Sequence, residues 1–578
     1  MTQLKSIIVA ERIAHLLSAY GVTEMFSQSL PSMVVLAAED AGIRQITYRT
    51  ENAAGTMADG FARISGKVGV VCAQNGPAAT LLVPPLAEAL KASIPVIALV
   101  QEVPRDQTDK NAFQEFDHQS LFASCTKWAR TVRCAGRIDD YMRQAFTAAT
   151  SGRPGPVALM LPADLLLEKI DATDIESCSL LGRYPLDRPC ADTLRIEEAA
   201  KLLAEAELPL VVAGGGVHGA QACQELALLQ ELAHLPVATT MMGKGAINET
   251  HPLSLGLIGN VMGKGSIGKH TRAIVDKADV VFLIGNRTNQ NGTDSWQVFP
   301  KTTPFIHLDI DGQEIGRNYH ALRLQGDAKC TLGALIETLN NFDLAKRSEQ
   351  RVALERMIAV ARVSRASTSQ PLITSNAIPI RPERIMAELD RLLPDNAIVC
   401  ADASYSSVWV NSYLTAQRPG MRFLTPRGLA GLGWGLPLAM GAKLAAPDQP
   451  VVCLVGDGGF GHVWSELETL VREDIAVTIL VLNNGTLGYQ KDAEHVKFGR
   501  HTGACYFGTV DHAAVAAACA CPSAIVKNPE DLEGTIQSAL ASNGPTLIDI
   551  QTDPAAYPPL TMFDGTLENA RAADLKVA

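Results

Sequence analysis

The sequence predicts an α/β protein built from three consecutive doubly wound parallel-sheet domains. Short apolar runs alternate with longer helical stretches, which is the signature of βαβ units. Several runs end in glycine- or asparagine-rich turns. The alternation restarts near residue 190 and, after a polar stretch, near residue 380. At 578 residues the chain has room for three or four domains of about 150 residues.

The first block is residues 1–185. Val9, Ile13, Leu16, Leu17 and Tyr20 share one helical face, and Gly21 supplies the stop. Ile46–Tyr48 leads into a helix around Ala53 to Arg63. Val68–Val71 leads into a helical stretch from Pro77 to Ala92, and Ile94–Val100 follows as a strand. The second block, 190–342, opens with Leu208–Val212 running into Gly214, Gly215 and Gly216, and continues with the buried-strand candidates Val280–Ile284 and Phe305–Asp309. Residues 343–378 turn polar, with Lys346, Arg347, Glu349, Gln350 and Arg351 ahead of a Ser/Thr-rich stretch from Ser364 to Ser375. They read as a linker with one helix. The third block, 379–560, offers Ala397–Cys400, Val451–Val455, Val477–Leu482 and Thr546–Ile550 as strands. Residues 561–578 form a C-terminal tail. No short-period repeat occurs, and the first and third blocks are candidates for similar folds.

A formal charge of −11 without any basic run argues against nucleic acid and anionic membrane surfaces as partners, and for small molecules. Glu11 and Arg12 interrupt the N-terminal stretch that a signal peptide needs apolar, and no long uncharged apolar window follows, so the expected location is cytoplasmic with no membrane span. The 12 cysteines are scattered without a CxxC pair, mostly in apolar stretches, as reduced core thiols are.

The most specific motif lies in the third block. The run Pro450–Val455 ends in Gly456-Asp457-Gly458, and Asn483-Asn484 closes the next run, Val477–Leu482, with residues 459–482, twenty-four positions, between them. A carboxylate and an amide oxygen at the carboxyl ends of neighbouring parallel strands converge on one hard cation. Glycines beside Asp457 let the backbone approach a phosphate closely.

This spacing resembles the signature of thiamine-diphosphate-dependent enzymes, GDG followed by NN. The resemblance implies that Asp457 and Asn484 bind Mg²⁺ by side chains and Thr486 by its carbonyl, with Gly456, Gly458 and Gly459 beside the diphosphate. In the first block, Tyr48-Arg49-Thr50-Glu51-Asn52-Ala53-Ala54 and Ala58-Asp59-Gly60-Phe61-Ala62-Arg63 resemble the segment carrying the family's catalytic glutamate. Glu51 takes that place, where a carboxyl bonded to the aminopyrimidine promotes formation of a C2 ylide and then an enamine intermediate. The string Arg427–Pro437 resembles the family's glycine-rich turn. There Leu432 would wedge between the cofactor's two rings and the Ala430 carbonyl would receive its 4′-amino group. Ala403, Ser404, Tyr405 and Ser406 would contact the diphosphate.

The likeness spans nearly the whole chain in the order pyrimidine-binding, central and diphosphate-binding domain, and is strongest to the acetolactate synthase branch. Phe113-Gln114-Glu115, Ser124–Trp128, Gln101–Pro104 and His307–Gly316 match strings of that branch, with Gln114 as a further catalytic candidate. The branch implies a homodimer or homotetramer with Glu51 of one subunit facing the metal motif of another. It also implies FAD, an ADP-like nucleotide or nothing in the central domain, where Met242-Gly243-Lys244-Gly245 resembles part of an FAD-contacting region. Gly214–Gly216 alone is a weak dinucleotide fingerprint, explained by a tight strand-to-helix turn.

Three departures bear on the acceptor substrate. Gly285–Asn291 keeps only the first arginine, Arg287, of the branch's GxRFDDR string. No tryptophan follows the Asn pair, where Tyr489–Ala493 stands. Ser27–Pro31 replaces a Gly-rich turn, and Pro31 has no N–H to donate. The expected reaction is carbon–carbon lysis or ligation from a 2-oxo acid or related acyl donor, with an acceptor that is not simply a second pyruvate. Phe113 and Phe116 would help line the substrate pocket, although core packing explains them equally well. Alternatives are a 2-hydroxyacyl-CoA lyase, an oxalyl-CoA decarboxylase type, a simple 2-oxo acid decarboxylase, and a non-catalytic regulatory homologue.

Overall fold

The computed structural model describes residues 6–569 and 571, apart from 173, 176 and 177. Three six-stranded sheets follow one another along the chain, and a two-stranded antiparallel sheet pairs Ser6–Ile8 with Lys169–Asp171. The first sheet runs, in spatial order, Arg44–Thr47, Glu24–Ser27, Gly69–Ala73, Val96–Glu102, Val157–Pro162, Trp128–Thr131, parallel throughout. The third runs Arg422–Leu424, Ile398–Ala401, Val451–Gly456, Thr478–Asn483, Thr546–Gln551, Ser523–Val526, also parallel. Numbered within each block, both orders are 2-1-3-4-6-5, so the first and third blocks share one topology. The central sheet differs: Ser254–Leu257, Val237–Thr239, Pro209–Ala213, Val280–Ile284, Phe305–Asp309, Ala321–Gln325, which is the order 3-2-1-4-5-6.

Strands such as Gly69–Ala73, Val157–Pro162, Pro209–Ala213, Val280–Ile284 and Thr478–Asn483 are buried at every position. Helices cover both faces of a parallel sheet, which is why these segments read as continuous apolar runs without alternation. The expected helix from Pro77 to Ala92 is instead two helices, Pro77–Leu81 and Val83–Ala92. Pro84 and Pro85 remove the amide hydrogens that would join them. Residues 345–373 form one long helix, whose buried Leu354 and Ile358 pack on the central domain while buried Arg347 donates to the carbonyls of Glu207 and His234. Seven of the twelve cysteines are buried, but Cys134 and Cys190 are exposed, so the core-thiol reading holds only for the former group.

One contact fixes the first block on the third. The helix Glu51–Ser65, capped by Thr50 and ended by left-handed Gly66, crosses the helix Gly435–Ala445. A Cβ at Gly60 would collide with the Leu438 carbonyl, and one at Gly441 with the Met57 carbonyl. The two backbones therefore touch, which only glycine permits. Among the described residues no helix is long and apolar enough to cross a membrane.

Candidate functional site

Strands Val451–Gly456 and Thr478–Asn483 are neighbours in register, with Gly456 opposite Leu482, so Asp457 and Asn484 emerge side by side at the carboxyl ends of two central strands. Asp457 is buried; its Oδ2 accepts the Gly485 N–H at 2.9 Å. Burial pushes its carboxyl up to about 6, because desolvation penalises the charged form. Asn484 Oδ1 accepts from the Thr486 N–H and Oγ1, each at 3.0 Å. Asn483 turns inward instead, donating to Asp549 at 3.0 Å and to the Val510 carbonyl at 3.1 Å. Of the asparagine pair, only Asn484 faces the cleft.

That cleft, about 50 Å³, gathers eleven of the sequence-predicted residues: Ala403, Ser404, Tyr405, Ser406, Leu432, Gly456, Asp457, Gly458, Gly459, Asn484 and Thr486. Its floor is glycine by necessity, since a Cβ at Gly459 would collide with the Asp402 carboxylate and one at Gly458 would lie 2.8 Å from the Phe507 ring. One buried carboxylate, one amide oxygen and a nearby backbone carbonyl make an incomplete, all-oxygen donor set. Such a set suits Mg²⁺, which completes its octahedron with water and phosphate oxygens. Among the described residues no group of three or more His, Cys, Asp and Glu side chains forms a self-sufficient metal cage.

Two buried carboxylates that the sequence did not flag shape the glycine-rich turn. Asp402 accepts the N–H groups of Gly433, Trp434 and Gly435 at 2.9, 3.0 and 3.1 Å. Glu88, from the first block, accepts those of Gly428 at 2.7 Å and Ala430 at 3.4 Å, and of Leu429 between them. Behind Glu88 stand Arg63, 3.7 Å away, and the Asp59 carboxylate that pairs with Arg63. A signal existed for Glu88: it is a lone carboxylate in the apolar stretch Leu86–Leu90, and a buried charge must be paired. Ala430 and Ser404 have φ of 61° and 68°, the left-handed region that non-glycine residues enter at a cost.

Glu51 opens the helix Glu51–Ser65. The segment before it is docked on the same chain's third block: the Arg49 and Thr50 N–H groups donate to Glu466 at 3.2 and 3.0 Å, and Asn52 accepts from the Trp434 indole at 3.1 Å. Every residue lining the Asp457 cleft falls between 382 and 556. A single chain therefore does not bring Glu51 or Gln114 into the wall of that cleft, and Ala430, although within that span, does not line it either.

Gln114 also sits at positive φ, 61°, and accepts from the Gln74 side chain at 2.8 Å while Asn75 holds its carbonyl at 3.0 Å. Phe113 and Phe116 are 83% and 52% exposed, which rules out core packing as the account of them. Nearby, His118 Nε2 accepts the Gly76 N–H at 2.9 Å, so its proton sits on Nδ1, 2.9 Å from Glu102. Pro31 caps the helix Ser32–Asp40.

In the central block the strand order reverses between Pro209–Ala213 and Val280–Ile284. Ligands of such sheets bind at that switch point. A cavity of about 190 Å³ opens there, lined by Gly214, Gly215, Gly216, Met241, Met242 and Gly285, and by Arg153, Arg287 and Asp309. The Arg287–Asn291 string thus faces this cavity through Arg287, Asn289 and Asn291. Burial lowers the Arg287 guanidinium and raises Asp309 to about 6. Lys244 points elsewhere, paired with Glu249 at 2.7 Å.

Comparison with known proteins identifies the family along the chain. Profiles of the thiamine pyrophosphate enzyme N-terminal TPP binding domain, central domain and C-terminal TPP binding domain match residues 7–121, 196–335 and 402–550. The chain is 34% identical to a probable acetolactate synthase large subunit of Methanocaldococcus jannaschii over 574 residues, covering 97% of this chain and 94% of that protein. It is 32% identical to acetolactate synthase of Arthrospira platensis, over 91% and 90% of the two chains. It is 30% identical to the acetolactate synthase isozyme 2 large subunit of Escherichia coli, over 94% and 95%.

Proposed function

Since this chain belongs to the thiamine pyrophosphate enzyme family, as an acetolactate synthase-like enzyme, we propose that it makes or breaks a carbon–carbon bond beside a carbonyl, starting from a 2-oxo acid or related acyl donor. The observation that carries the reading is the convergence of Asp457 and Asn484 on one glycine-floored cleft. Asp457, Asn484 and the Thr486 carbonyl would hold Mg²⁺, and Gly456, Gly458, Gly459 and Ala403–Ser406 would take the diphosphate. Thiamine diphosphate, when bound, supplies the carbon nucleophile.

The chain's own residues do the rest. With the cofactor bound, Leu432 would pack against its rings, and Ala430, whose N–H Glu88 holds, would offer its carbonyl to the amino group. Glu51 would hydrogen-bond the pyrimidine ring of the bound cofactor and move a proton there, which is general acid–base work. Because the cleft of one chain has no wall from its first block, Glu51 would come from a second copy, in a homodimer or homotetramer. In the switch-point cavity, Arg153 and Arg287 would hold the phosphates of FAD or an ADP-like nucleotide.

The acceptor differs from a plain second pyruvate. Pro31 offers no N–H at the start of its helix, and the residues after Arg287 lack the arginine-bearing pattern. Losing a charged hydrogen bond to a carboxylate reduces acceptor use by about ten- to a hundred-fold. Steady-state kinetics with product identification by mass spectrometry tests both parts, comparing pyruvate alone with pyruvate plus aldehydes, other 2-oxo acids or 2-hydroxyacyl-CoA thioesters. Turnover should require thiamine diphosphate and Mg²⁺ and favour a mixed product. Turnover without the cofactor rejects the site; acetolactate from pyruvate alone as efficiently as any other product rejects the altered acceptor.

A further inference from the structure

Beside the central cavity, where all three blocks meet, lies a second cavity of about 270 Å³. Arg63 comes from the first block, His218 and Gln221 from the central block, and Arg418, Arg422 and Gln449 from the third. Arg63, His218 and Arg422 belong to the walls of both cavities, so the two adjoin.

The charges on this wall do not balance. Arg63 is matched by Asp59 and Glu88. His218 is neutral, because burial pushes its imidazole down to about 3. Among the described residues the Arg418 side chain bonds only the Asp395 carbonyl, at 3.0 Å. Arg422 bonds only the Arg63 carbonyl, at 3.0 Å, and its Nε is sealed from solvent without a partner among the described residues. Neither Arg418 nor Arg422 makes an ion pair among the described residues, and no Asp or Glu lines the cavity. Asp395 and Asp448, next in sequence to wall residues Asn396 and Gln449, are exposed and lie outside it.

A guanidinium withdrawn from water without a counter-charge is costly. Here one such group faces an open, polar cavity beside a second unpaired arginine, with amide side chains to complete the coordination. Arginine's planar fork matches phosphate and carboxylate oxygens two at a time. We propose that this junction cavity is a binding site for a phosphate group, either free or carried by a ligand that reaches through from the central cavity. Its occupant would tie the three blocks together and, through the shared wall, change affinity for whatever fills the central cavity. The proposal is independent of the catalytic reading.

The test is calorimetry on the full chain saturated with thiamine diphosphate and Mg²⁺, so that the diphosphate cleft is filled. Inorganic phosphate is titrated in one arm and ADP in the other, at constant ionic strength. Arg418→Gln, which alters only the junction cavity, should weaken phosphate binding by about ten-fold or more, whereas Arg153→Gln, on the central cavity alone, should leave it unchanged. If instead ADP binding carries the Arg418→Gln loss, the phosphate is ligand-borne and the site stands. Gln449→Glu places a carboxylate against the arginines; it should keep or raise the thermal midpoint while abolishing phosphate binding. The proposal falls if neither probe is sensitive to Arg418→Gln, if only Arg153→Gln weakens phosphate, or if Gln449→Glu binds phosphate like the wild type.

Discussion

Replacing Asp457 by Asn should raise the stability of the cofactor-free protein and destroy its Mg²⁺-dependent cofactor binding. The first effect follows from burial. The Asp457 carboxyl is shifted from 3.8 to about 6 by desolvation, so between about pH 4 and 6 the native state holds a proton that the unfolded state has released. Stability from this group therefore falls as pH rises through that window and stays low above it. A difference of about two pH units, at about 1.36 kcal/mol each, makes the penalty about 3 kcal/mol. An asparagine keeps the acceptor for the Gly485 N–H, now at 2.9 Å, without the charge. The variant should be more stable by up to about 3 kcal/mol at about pH 8, and the gain should vanish below about pH 4.

The second effect has the opposite sign for function. Partners of metal ligands cost 10- to 100-fold in affinity when removed, so a direct carboxylate ligand should cost at least about 100-fold. Chemical denaturation of the cofactor-free protein at the two pH values measures stability; calorimetry with thiamine diphosphate, with and without Mg²⁺, measures binding. A variant less stable than wild type at both pH values would show that the charge is already compensated. A Mg²⁺-dependent affinity within a few-fold of wild type would show that the cation sits elsewhere.

Glu51→Gln should keep thiamine diphosphate bound, by calorimetry, and lower turnover by about 10² or more; near-normal turnover removes Glu51 from the mechanism. Glu88→Gln leaves one or two of the three turn N–H groups facing an NH2 group and unbalances Arg63, so it should cost about 3 kcal/mol in denaturant unfolding and weaken cofactor binding as well. A loss of stability with unchanged cofactor affinity would confine Glu88 to domain docking. Mg²⁺ affinity of the wild type should decline as pH falls through about 6, where Asp457 takes up its proton, and a flat profile between about pH 5 and 8 would contradict that.

The parts of this molecule that were legible in its sequence are those encoded locally. A strand covered by helices on both faces must be apolar at every position, so Val451–Gly456 and Thr478–Asn483 announce themselves, and ligands at their carboxyl ends appear at a fixed spacing. What was not legible acts across the chain. Glu88 serves the turn at Gly428 from 340 positions away, and Glu466 receives the backbone just before Glu51 from 416 positions away. Glu88 stands out locally as a lone carboxylate in an apolar stretch, but no local pattern names the distant backbone that either carboxylate serves. The split between Pro77–Leu81 and Val83–Ala92 is encoded locally by the double proline at 84 and 85, although the apolar periodicity runs on through it. Strand order was illegible because pairing partners are not sequence neighbours, yet it decides where each sheet reverses: between Pro209–Ala213 and Val280–Ile284 in the central block, and between Ile398–Ala401 and Val451–Gly456, beside the Asp457 cleft, in the third.

The same distinction explains how the candidate site residues hold their conformations. Three candidate residues, Gln114, Ser404 and Ala430, have left-handed backbones without being glycine. Such conformations persist only where the surroundings over-determine them. Ala430 is held through the Glu88 contacts on its own and the two preceding amides, and Gln114 by Gln74 and Asn75. Ser404 follows Asp402, whose carboxylate is fixed by three amides of the glycine-rich turn. Buried carboxylates thus clamp two of the three strained segments, and each clamp joins parts of the chain that lie far apart in sequence. The geometry presented to the cofactor is consequently a property of the packed domains, and weakening a clamp should disturb the cleft even where every residue that touches the cofactor is intact.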